Sequence, residues 1–131
     1  ALQINIPAVS GGGIKTYRIE ADLQFYSESG SQALEFEIAY SGAYAGAAPI
    51  FLFYGLFANA YEQNIVGLNT PGQVTVSANQ IQNVFKLVGN IQCGSAGSNN
   101  GGTLSIKWAQ NAASTTPLIC AAGSALYATL L

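Results

Sequence analysis

The chain has 131 residues, half of them apolar and only 8% charged, with six acidic against four basic side chains for a formal net charge of −2. That is enough for one domain, residues 1–131, with a core of its own, at a charge content well under the roughly 25% of ordinary soluble domains. Lys15, Arg18, Lys86 and Lys107 form no basic cluster, so nucleic-acid binding lacks its electrostatic footprint; the absence of histidine removes His-based triads and His-ligated metals.

No apolar run reaches the roughly 18 residues a membrane helix needs, and no signal-peptide pattern is present. A start at Ala1 with no methionine anywhere fits a trimmed initiator or a processed chain. With so little charge, solubility falls to Ser, Thr, Asn, Gln and Gly, or to burial of apolar surface against copies of the chain or a partner.

Leu2, Ile4 and Ile6 alternate with Gln3 and Asn5, a short opening strand that Pro7 ends. Gly11 to Gly13 lacks the Lys-Ser/Thr of a phosphate loop and reads as a hinge. In 16–40, Tyr17, Ile19, Ala21, Leu23 and Phe25, then Leu34, Phe36, Ile38 and Tyr40, alternate with polar residues across a six-residue polar connection. The pattern predicts a hairpin with Phe25 opposite Leu34 and Leu23 opposite Phe36, which also sets Asp22 against Glu37 and Gln24 against Glu35.

Residues 41–49, rich in Gly, Ala and Tyr, read as a loop. The run IFLFYGLF at 50–57 is a strand buried on both faces or the start of a short helix; its aromatics and the preceding Pro49 favour the strand. Residues 58–73 are polar, with a turn signal at Asn69-Thr70-Pro71-Gly72. At 77–89 helical spacing of Ile81, Val84, Phe85 and Val88 competes with alternation of Phe85, Leu87, Ile91 and Cys93. Strand is preferred over 84–93, paired in a second hairpin with Leu104, Ile106 and Trp108. A turn at 115–117 and a closing β-type run at 124–131 complete an all-β, antiparallel β-sandwich or jelly roll.

Glu20, Asp22, Glu35 and Glu37, gathered on the outer face of the predicted hairpin, are the one acidic patch that could hold a cation or act on a glycoside; the plainer reading is a solvated strand surface beside Arg18. No other metal site, no cofactor site and no catalytic residue is read from the sequence. Phe51, Phe53, Tyr54, Phe57, Tyr127 and Leu131 are candidates for a subunit interface, so that Phe53→Asp is expected to abolish assembly. Tyr44 and Tyr61, read as loop tyrosines, are candidate glycan contacts, and Trp108 is expected in the core. Cys93 and Cys120 lack metal-type spacing and stay as two free thiols or close one disulfide.

The segment Gly101-Gly102-Thr103-Leu104-Ser105-Ile106-Lys107-Trp108-Ala109-Gln110-Asn111, followed by Ser114-Thr115-Thr116 and by Ala122-Gly123-Ser124-Ala125-Leu126, resembles the closing strands of jelly-roll modules in tailed-phage virion proteins. Residues 16–23 resemble an early strand of the same modules, and 84–89 stand where their penultimate hairpin begins; residues 41–83 carry no likeness. The resemblance implies a tumour-necrosis-factor-like jelly roll, commonly trimeric, in capsid decoration, head fibres or tail fibres. Such modules usually belong to longer chains, which for a chain of this length favours a small capsid-decorating or minor virion protein. The expectation is therefore a non-enzymatic bacteriophage structural protein without cofactor, in the virion after assembly in the host cytoplasm. Its partners would be copies of itself as a homotrimer and other virion proteins such as the major capsid protein, with no nucleic acid or membrane. The alternative is a carbohydrate-binding module for host attachment through cell-surface glycan.

Overall fold

A computed structural model describes residues 1–9, 13–27, 32–57, 60–76, 83–94, 101–111 and 117–131, with backbone alone at 32, 56–57, 60–62 and 75–76. The strands are β1 (Leu2–Ile6), β2 (Lys15–Ser27), β3 (Gln32–Tyr40), β4 (Ile50–Phe57), β5 (Ala60–Gly67), β6 (Pro71–Val76), β7 (Asn83–Cys93), β8 (Gly102–Gln110), β9 (Leu118–Cys120) and β10 (Ala125–Leu130), with no helix among the described residues. Two antiparallel sheets pack face to face. One has the order β1-β8-β3-β6; the other has the order β10-β2-β7-β4-β5, with β9 also on β2.

The pairing is nested. β4 pairs β5, β3 pairs β6, β2 pairs β7 and β1 pairs β8. The chain is thus a two-stranded ribbon rolled until β3 also meets β8 and β4 also meets β7. This is the jelly-roll wrap. β9 and β10 then line the remaining edge of β2.

Both predicted long-range hairpins are corrected. β2 and β3 lie in opposite sheets, as do β7 and β8. Alternation had correctly placed Leu23, Phe25, Leu34 and Phe36 in the core, where all are at most 2% exposed. It fixes which face is buried and leaves open which strand lies alongside. The charges agree with the wrap: the hairpin sets Asp22 against Glu37, whereas the sandwich pairs Asp22 with Lys86 and Glu37 with Lys107. The hairpin's turn, at 28–31, lies outside the described residues, as do residues 77–82, with Ile81 of the helical spacing, and the 115–116 part of the expected turn; Val84, Phe85 and Val88 lie in strand β7, the reading preferred over 84–93.

The 50–57 strand is confirmed, but within one chain only one of its faces is buried, through Phe51 and Phe53. The polar stretch after it hides a strand, β5. Its pattern is inverted: Val66 faces the core and Ile65 faces out at 68% exposure, so no simple alternation marks it. The turn at 67–70 closes through a Thr70 N–H to Gly67 carbonyl bond of 3.2 Å with Asn69 at φ 57°, two residues before the expected 69–72, and Pro71 and Gly72 already belong to β6.

The core is held across the sheets by a belt of aromatic rings. Phe36 on β3 stacks on Phe53 (centroids 3.9 Å), Phe53 on Phe85 (4.9 Å), Phe85 tilts against Phe25 (6.1 Å), and Phe25 meets Trp108 edge-on (5.7 Å). Trp108 lies opposite Phe36 on β8 and β3, which brings the belt back to its start. Strand glycines make the space. Phe51 faces Gly89, Phe85 faces Gly55 and Phe36 faces Gly72 across neighbouring strands, and a Cβ on any of these glycines would run into the ring it faces.

Candidate functional site

The two outer faces differ. On the four-stranded sheet the outward positions carry Gln3, Thr103, Ser105, Lys107, Ala39, Glu37, Glu35 and Gln73, and among the described residues no aliphatic side chain larger than proline. On the six-stranded sheet the register lines up Ile65, Leu52, Val88, Glu20 and Tyr127 in one row across five strands. The next row holds Gln63, Tyr54, Lys86, Asp22 and Ala125. The β4–β5 end of this face is apolar around Ile50 at 65% exposure, Leu52, Ile65 at 68% and Val88; the β2–β10 end is charged and polar.

Between the two ends lies an open cleft of about 420 Å³, lined by Arg18, Glu20, Asp22, Tyr54, Lys86 and Tyr127. Its charges are paired: Lys86 Nζ donates to Asp22 Oδ1 at 2.7 Å and Arg18 Nε lies 3.2 Å from Glu20 Oε1. The hydrogen bond to Asp22, helped by the Asp22 charge, pushes the Lys86 ammonium up from its ordinary value.

The acidic patch does not form. Glu20 and Asp22 lie on the outer face of one sheet, and Glu35 and Glu37 on the outer face of the other, where Lys107 Nζ is 3.6 Å from Glu37 Oε1. The sandwich separates the pairs, so neither a shared cation nor a glycoside between facing carboxylates is available to all four. Among the described residues no group of three or more Asp, Glu, Cys or His side chains is placed to hold a metal.

The interface candidates divide. Phe51 and Phe53 are 1% and 0% exposed inside this chain, so they are core and Phe53→Asp reports on folding rather than on assembly. Tyr54 is half-buried on the outer face. Tyr127 and Leu131 are exposed at 52% and 69%. The side chains of Phe57 and Tyr61 lie outside the described residues. Tyr44 is exposed at one end of the sandwich, where its backbone bridges to Cys93. Trp108 packs half-buried against the core.

Cys93 and Cys120 are both free. They lie opposite Lys15 and Phe25 of β2, roughly 33 Å apart along an extended strand, so a disulfide between them is excluded. Cys93 is buried against Tyr40, whose buried hydroxyl has no hydrogen-bond partner among the described residues; burial pushes both groups up from their ordinary values.

The sequence reading took the 50–57 run, Ile50 and Leu52 included, as buried on both faces, which already implied apolar side chains on both faces of β4; it missed Ile65 and Val88 as their neighbours on the outer face. The residues that carry the phage-like text have clear structural work. Leu104 and Ile106 are core, while Thr103 accepts from the Ser41 N–H at its carbonyl (3.1 Å) and donates its own N–H to Ser41 Oγ (2.9 Å). In the Ala122-Gly123-Ser124 joint, Gly123 takes φ 97° and Ser124 Oγ accepts the Gln24 N–H at 3.0 Å, while the Gln24 carbonyl takes the Ala121 N–H at 2.8 Å. The joint satisfies β2 where β9 stops and β10 has not begun. Comparison with known protein families, with curated proteins and with solved structures returns no match.

Proposed function

We propose that this chain is a non-enzymatic structural protein of a phage particle, a capsid-decorating or minor virion protein that works as a homotrimer and seats on other virion proteins. One observation of geometry carries the assembly part: the outer apolar patch of Ile50, Leu52, Ile65 and Val88 lies on one face of a sandwich whose opposite face is polar. Patches of this kind on a weakly charged chain mark protein contact. Burying Ile50 and Ile65, each about two-thirds exposed, supplies about 1–2 kcal/mol apiece, before the costs of association. The phage part is supported by the resemblance at 101–111 and 122–126, whose residues build β8 and the joint ahead of β10.

The test is solution mass by light scattering behind a sizing column over a dilution series. The expected mass contains a factor of three that Ile50→Asp with Ile65→Asp removes while circular dichroism stays β-type. A mass with no factor of three at any concentration overturns the trimer.

The cleft between Tyr54 and Tyr127 favours carbohydrate binding as the second reading: tyrosines can flank sugar rings while the charged floor meets hydroxyls. Titration of the parent and of Tyr127→Ala against an oligosaccharide panel decides it. Binding lost in Tyr127→Ala supports host attachment, and no binding by the parent removes it.

A further inference from the structure

The outer face of the four-stranded sheet is hollowed around Ser105. One row of the register runs Gln3, Ser105 and Ala39 across β1, β8 and β3. β6 reaches only as far as Pro71, opposite Glu37, and the turn before it fills the place beside Ala39: the Asn69 N–H donates to the Ile38 carbonyl at 2.7 Å, and Asn69 Oδ1 accepts the Tyr40 N–H at 3.1 Å. Lys107 and Glu37 stand on one side of this row, and Thr103 with Ser41 on the other. Ser105 and Ala39 are short among longer neighbours, so they floor an open trough of about 560 Å³ with a polar rim.

The floor carries a hydroxyl that the protein itself leaves unused. Ser105 faces outward yet is only 6% exposed, and its hydroxyl makes no hydrogen bond among the described residues. Buried hydroxyls ordinarily have a partner. The groups around it are mixed in kind. The Tyr40 N–H fixes the Asn69 oxygen, which leaves Nδ2 as a donor at the trough. Ser41 Oγ accepts the Thr103 N–H and keeps its own proton to give. Glu37 accepts and Lys107 donates, 3.6 Å apart and without net charge between them.

We propose that this trough binds a neutral sugar, one ring of a glycan held by its hydroxyls. The groups present select the class. An anion meets the Glu37 carboxylate, a cation meets the Lys107 ammonium, and an apolar group finds no exposed apolar side chain larger than Ala39 to cover. A sugar hydroxyl both donates and accepts, which suits a serine hydroxyl, an amide N–H, a carboxylate and an ammonium in one place. The volume lies within the about 300–1,000 Å³ of small-molecule sites. The trough is on the opposite face from the outer apolar patch and from the cleft between Tyr54 and Tyr127, so it stands whether or not the chain trimerises or that cleft binds.

The experiment adds neutral hexoses and N-acetylhexosamines to the full chain and follows amide chemical shifts. One of these sugars should move Ala39, Ser41, Asn69, Thr103 and Ser105 together and saturably. Ser105→Ala should weaken that binding about 2- to 10-fold, the worth of one hydrogen bond, with its urea midpoint unchanged or higher, because the hydroxyl bonds nothing in the free chain. Ala39→Leu fills the floor and should abolish binding; if it fails to fold, Ser105→Ala decides alone. No saturable shift with any sugar, unchanged affinity in Ser105→Ala, or shifts confined to Tyr54, Lys86 and Tyr127 would each overturn the trough site. The last of these would leave the cleft as the sugar site.

Discussion

Phe53→Ala is the sharpest test of the aromatic belt. Phe53 has no exposed surface and stacks on Phe36 of the facing sheet and on Phe85 of the neighbouring strand. A phenylalanine buries at least about 150 Å²; losing most of that at about 25 cal/mol per Å² costs about 3 kcal/mol, and two ring contacts add about 0.5–1.5 kcal/mol each. The expected loss is about 4–6 kcal/mol, at or just above the upper end for Phe→Ala in a core and a large share of the about 5–15 kcal/mol that holds a domain. Phe53→Leu, which keeps bulk and loses stacking, should cost about 1–2 kcal/mol. Urea unfolding followed by fluorescence of Trp108, the only tryptophan and itself a member of the belt, measures both. A loss under about 2 kcal/mol in Phe53→Ala at unchanged denaturant slope would refute the belt as the tie between the sheets.

Gly89→Ala should cost about 1–3 kcal/mol by overpacking, since the added carbon meets the Phe51 ring and, at 2.9 Å, the Ile50 carbonyl; equilibrium unfolding checks it. Ser124→Ala strips the acceptor from the Gln24 N–H and should cost about 1–3 kcal/mol, with the amide of Gln24 losing hydrogen-exchange protection. Burial raises both Tyr40 and Cys93, so the native state holds protons that the unfolded state releases. Stability is fully present below about pH 8.5 and falls as pH rises through the ordinary thiol and phenol range. Tyr40→Phe, which removes a buried hydroxyl without a sound partner, should be neutral or stabilising at pH 7 and should flatten that alkaline fall. Urea midpoints measured from pH 7 to 11 would show it; an equally steep fall in the variant would assign the effect elsewhere.

What the chain determined by itself is which side chains go inside. Alternation in β2, β3, β7 and β8 needs only the period of two of an extended backbone, so Leu23, Phe25, Leu34, Phe36, Leu87 and Ile106 were placed in the core without knowledge of any neighbour. What only the tertiary structure decided is who lies beside whom. Every alternating strand is an acceptable partner for every other until the ribbon rolls, and then β2 takes β7, some sixty residues away, in a register that meets Asp22 with Lys86, while β4 on the other side of β7 fits Phe51 and Phe85 over glycines. The acidic patch vanished for the same reason: two carboxylate pairs close in sequence were carried to opposite faces. Of the apolar outer patch only the β4 part was legible, from the unbroken run at 50–57; Ile65 and Val88 were not, since exposure belongs to the stacked sheets and not to any residue within them.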